Sequence, residues 1–127
     1  QAAQMNLYDR THVDAILSAL VRQEKGMETD IKTITDPKSK PSWVRRDLRI
    51  FRNFPVGGKP LEMLINFVKD DSRPIDQRLL AAEALGWYRL YYDKASIIAA
   101  MKEYKPQDAS LAHDIQKTIA RLEGKNR

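Results

Sequence analysis

Lys38, Lys40, Arg45, Arg46, Arg49 and Arg52 crowd one short stretch in which Asp47 is the only acid. Arg45, Arg49 and Arg52 are spaced i, i+4, i+7, so a helix would set them on one face. Such a stripe suits salt-sensitive phosphate contacts or carboxylate clamps on an acidic protein. It equally suits a solvated face whose charges pair with Glu or Asp of a neighbouring helix. A second cluster is aromatic: Trp87, Tyr88, Tyr91 and Tyr92. On one helix Trp87 would pair with Tyr91, and Tyr88 with Tyr92, at i, i+4. Tyrosine and tryptophan anchor many interfaces, and they also cover the joint between packed helices.

Nothing else in the chain points to catalysis or to a cofactor. His12 and His113 are the only histidines and sit near opposite ends of the chain. Each reads as a surface or helix-end residue, and no metal is expected. Asp70, Asp71 and Asp76 lack the glycine-framed loop that calcium chemistry needs and read as a turn with favourable charge at a helix start. No serine lies in a nucleophile elbow, and paired carboxylates for acid–base work are not identifiable. Gly57-Gly58 lacks the Lys-Ser/Thr ending of a phosphate loop. With no cysteine at all, disulfide scaffolds, thiolate zinc sites, iron–sulfur clusters and cysteine nucleophiles are excluded.

The 127 residues, 43% of them apolar and 31% charged, suit one globular domain spanning 1–127. Residues 1–10 and 123–127 read as flexible ends. The net charge of +5 favours anionic partners only weakly. No run approaches the roughly 18 apolar residues of a spanning helix. The polar start Gln1-Ala2-Ala3-Gln4 would suit the mature end of an exported protein or a cut domain equally well, which leaves the compartment open.

The elements that must position these clusters read as about seven helices and no sheet. Thr11 to Lys25 carries the stripe Val13, Ile16, Leu17, Leu20 and Val21. Met27 to Thr35 fits a short helix, and Asp36 to Pro41 a loop. Ser42 caps a helix to Phe54 with Val44, Leu48 and Phe51 on one face. Pro55 and the glycine pair end it, and Pro60 opens the next, with Leu61, Leu64, Ile65 and Val68 inside. Ile75 to about Tyr92 reads as a single helix so apolar through Leu79, Leu80, Ala81, Ala82, Ala84 and Leu85 that neighbours must flank it on both sides. Lys94 to Tyr104 and the helix capped by Asp108, with Leu111, Ile115, Ile119 and Leu122 inside, complete the set.

The unit from Lys59 to Trp87 recurs about 34 residues later from Asp93 to Leu122, a period that signals stacked helical pairs. Leu64-Ile65 falls over Ile97-Ile98, and Ala81 and Leu85 fall over Ile115 and Ile119. The stretch from Lys69 to Gly86 resembles a HEAT repeat of the bilin-lyase-like branch, in which an acidic turn leads to a helix opening with valine-arginine and closing with Ala-Leu-Gly. Gln77-Arg78 stands for the valine-arginine pair, Ala84-Leu85-Gly86 keeps the ending, and Val44-Arg45 keeps the pair in the earlier helix. The resemblance is clearest over residues 59–92. It implies a short right-handed α-solenoid. It carries no lyase activity across, because it is confined to packing residues.

These readings lead to one expectation: a cofactor-free, non-catalytic scaffold that binds another protein, an acidic one among the candidates, as a monomer or small dimer. Nucleic-acid binding through the basic face is the alternative. Arg45, Arg46, Arg49, Arg52, Trp87, Tyr88, Tyr91 and Tyr92 are the candidate contacts.

Overall fold

The computed structural model describes residues 27–124, and among these every regular element is a helix. Residues 27–35 form α1, followed by α2 (Pro41–Asn53), α3 (Lys59–Lys69), α4 (Ile75–Leu85), α5 (Tyr91–Glu103) and α6 (Ala109–Leu122). The helix expected over residues 11–25 lies outside the described residues. Prolines set most starts: Pro41 and Pro60 occupy the first turns of α2 and α3, and Pro74 is the N-cap of α4. α2 therefore begins one residue ahead of Ser42. Asp108 caps α6 as expected, its carboxylate accepting the Leu111 N–H at 3.0 Å. Gly58 precedes α3 at φ +74°, a conformation costly for any residue with a side chain.

α4 is the hub. It packs against α2, α3 and α6, while α5 lies on α6 and touches α3. Ala81, Ala82, Ala84 and Leu85 are wholly buried, as the apolar composition of this helix demands. Two ion pairs fix the relative direction of α2 and α4: Arg45 Nη1 meets Asp76 Oδ2 at 3.1 Å, and Arg52 Nε meets Glu83 Oε1 at 3.2 Å. Each partner advances two turns together, so the helices run the same way. α6 follows suit, since the Thr118 hydroxyl donates to the Ala82 carbonyl (2.7 Å) and Arg121 lies over Trp87. The C-terminal ends of α2, α4 and α6 thus gather at one pole.

Two arginines tie helix ends to their neighbours. Arg73 donates to the Ile34 and Thr35 carbonyls that end α1 (3.3 and 3.2 Å). Buried Arg78 donates through Nε to the Val68 carbonyl near the end of α3 (2.9 Å), and through Nη2 to the Tyr104 hydroxyl and Asp71. Both satisfy carbonyls that a helix terminus leaves without an internal partner. The acidic turn serves the same joint. Asp70 accepts from the Ser72 hydroxyl (2.6 Å) and amide (3.0 Å), which hold its carboxyl below the usual carboxylate range.

One element differs from the sequence reading. α4 stops at Leu85, and residues 86–90 form a turn before α5 begins at Tyr91. Trp87 and Tyr91 are therefore not paired along one helix, nor are Tyr88 and Tyr92. The stop was signalled by Gly86, the C-cap, although the unbroken aromatic run after it reads as more helix. Gly86 also leaves room for a neighbouring side chain. A Cβ would sit 3.2 Å from Cδ of Arg121, which crosses this point.

Candidate interaction surface

The basic stripe divides once it is folded. Arg45 and Arg52 spend charge on Asp76 and Glu83 of α4, the neighbouring-helix pairing that the spacing left open. Arg46 turns away to Asp47 (2.9 Å), which raises the guanidinium pKa further. Arg49, one turn from Arg52, makes no ion pair with a described residue. Exposed pairs of this kind contribute at most about 1 kcal/mol each, so they set register more than stability.

Asp47, by sequence only a break in the basic run, is a buried carboxylate. It is 1% exposed, on the buried face of α2 with Val44, Leu48 and Phe51. Its spacing from Val44 and Phe51 carried that signal. Its neighbour across the α1–α2 joint is Asp30. Burial first, then repulsion from and hydrogen bonding to Asp47, push the Asp30 carboxyl up to about 6. The raised value means that the folded chain holds this proton more tightly than the unfolded chain does. The stabilising contribution is therefore complete below pH 4 and fades as pH rises through 6. Asp30→Asn should raise Tm at pH 8, leave it nearly unchanged at pH 4, and flatten the decline between. Thermal melts across that range check this, and parallel wild-type and variant curves would contradict it.

The second candidate cluster assembles at the pole where α2, α4 and α6 end. The indole of Trp87 lies between two guanidiniums, Arg52 at 4.8 Å and Arg121 at 4.4 Å from the ring centroid. Each contact is worth about 0.5–1 kcal/mol at such a site. The Trp87 Nε1 is buried without an acceptor among the described residues. Tyr88 is buried, and its hydroxyl donates to the Val56 carbonyl at 2.7 Å, tying the turn after α4 to the loop after α2. Burial pushes the phenol pKa up. Tyr88→Phe should cost about 1 kcal/mol, because the Val56 carbonyl loses its donor. Urea melts measure it, and an unchanged midpoint would show that the tie carries no stability.

Around this tied pair of loops the surface is apolar. Phe54 is 53% exposed, Leu90 70%, Tyr91 77% and Tyr92 83%. The Tyr91 and Tyr92 rings meet edge to face, centroids 5.6 Å apart. A groove of about 310 Å³ runs between Phe54–Pro55 and Arg89–Leu90, with Asp93 beside it. Phe54 and Leu90 were missing from the sequence candidates. Both sit at helix ends, where periodicity assigns no face.

No family model, curated protein or solved structure matches this chain. Elsewhere in the described residues, no group of three or more His, Asp or Glu is placed to hold a metal ion. His113 is exposed on α6, and His12 lies outside the described residues. No described helix is long and apolar enough to cross a membrane.

Proposed function

We propose that this chain is a non-catalytic protein-interaction module, built from HEAT-like helix pairs stacked as a short right-handed α-solenoid. The parallel run of α2, α4 and α6 supports the stack, because every second helix points the same way in such an array. The burial pattern supports it too. Gln77, Ala81, Ala84 and Leu85 are buried, and so are Leu111, Ile115, Thr118 and Ile119, one period of about 34 residues later. Leu64 and Val68 recur in the same way as Ile97 and Met101.

The observation that carries the binding role is the pole itself. Aromatic and arginine side chains are the residue types enriched where proteins meet. Here they stand exposed around a groove whose walls are locked together by Tyr88. A preorganised surface loses little entropy on binding. The stripe on α2 contributes chiefly through Arg49 and Arg52, its end nearest the pole.

A photo-crosslinking amino acid in place of Tyr92, introduced into cells that make the protein, tests the role. The expected result is a discrete adduct sensitive to protease and resistant to nuclease. The same group at Lys69, at the far end of α3, should give none. Equal labelling from both positions, or an adduct removed by nuclease, would refute the reading.

A further inference from the structure

We infer that the pole docks an acidic protein segment carrying an apolar anchor, an assignment that rests on the interaction-module reading. The arginines divide into those already paired and those left uncommitted. Of those described, Arg45, Arg46, Arg52, Arg73 and Arg78 are committed to carboxylates, with Arg73 and Arg78 also holding backbone carbonyls. Arg49, Arg89 and Arg121 make no ion pair with a described residue, and all three lie at or within one turn of the pole. Of the carboxylates there, one is committed and one stands beside the groove. Glu83 holds Arg52, and Asp93 packs against Gly57, where an added Cβ would come within 2.9 Å of its Oδ1. The pole therefore carries surplus guanidinium charge around an apolar groove.

That combination selects the partner's chemistry. Guanidinium forks match carboxylates bidentately. The groove between Phe54 and Leu90 accepts an aliphatic or aromatic side chain, which a phosphate backbone does not supply. Three or four cations give too few phosphate contacts for strong nucleic-acid binding at physiological salt. An acidic segment uses both parts of the surface at once. Its carboxylates meet Arg49, Arg89 and Arg121, and its anchor fills the groove.

Fluorescence polarisation with the full chain tests this. The probes are a labelled synthetic peptide in which glutamates alternate with leucine and phenylalanine, its lysine-for-glutamate counterpart, and a single-stranded oligodeoxynucleotide. The acidic peptide should bind best. The double reversal Arg89→Glu and Arg121→Glu should weaken it by at least about tenfold, and so should Leu90→Ser with Tyr91→Ser. Lys69→Glu, far from the pole, should leave it unchanged. Circular dichroism confirms that each variant is folded. An unchanged affinity in the double reversal overturns the inference. If the lysine peptide binds best and depends on Leu90, the acidic partner is wrong and the module reading stands. If only the oligonucleotide binds, both fall.

Discussion

Arg78→Leu should cost the fold about 3 kcal/mol, lowering Tm by roughly 10–15 °C. The side chain is buried and its bulk is largely kept in the variant, so the loss is one of hydrogen bonds. The Val68 carbonyl and the Tyr104 hydroxyl both lose their donor in the interior. Asp71, whose side chain is almost fully solvated, contributes little. Arg78→Lys separates geometry from charge. An ammonium cannot reach both partners as the planar fork does, so this variant should recover only part of the loss. A leucine variant as stable as wild type would mean that α3, α4 and α5 are not joined through this residue.

Ala82→Leu should be nearly as severe, at about 2–3 kcal/mol. Ala82 has no exposed surface, on a helix packed by α2, α3 and α6, and its carbonyl is already held by Thr118. The added carbons can enter only by forcing helices apart. The identical change at Ala99, exposed on α5, should stay within about 0.5 kcal/mol. Denaturant melts of the two variants give the comparison. Equal effects would show that the small residues of α4 do not set helix spacing.

These two positions also show what the residues alone could reveal. The run Leu79 to Leu85 is too apolar for a helix with a wet side, and α4 does occupy the centre. Apolar spacing likewise found α2, α3 and α6 to within a residue or two. It failed at the joint after Gly86, where side-chain period carries no information about a stop and the following aromatics look like more helix. It also missed Asp47 as a buried carboxyl, because charge type outweighed its place on the apolar face. Asp30 and Asp47 are distant in sequence and meet only through the α1–α2 joint. The ion pairs of Arg45 and Arg52 were foreseeable as a class, but their partners depend on the register between α2 and α4. Which arginines stay uncommitted is a property of that register, and so the pole became visible only in three dimensions.

If binding is confined to this pole, a backbone amide NMR titration will show it. On adding an unlabelled acidic peptide bearing leucine and phenylalanine, shifts should cluster in residues 49–56, 86–93 and around Arg121. Amides of α3 near Lys69 and of the 70–74 turn should stay in place. Shifts centred on that far end, or scattered evenly over all helices, would contradict the account.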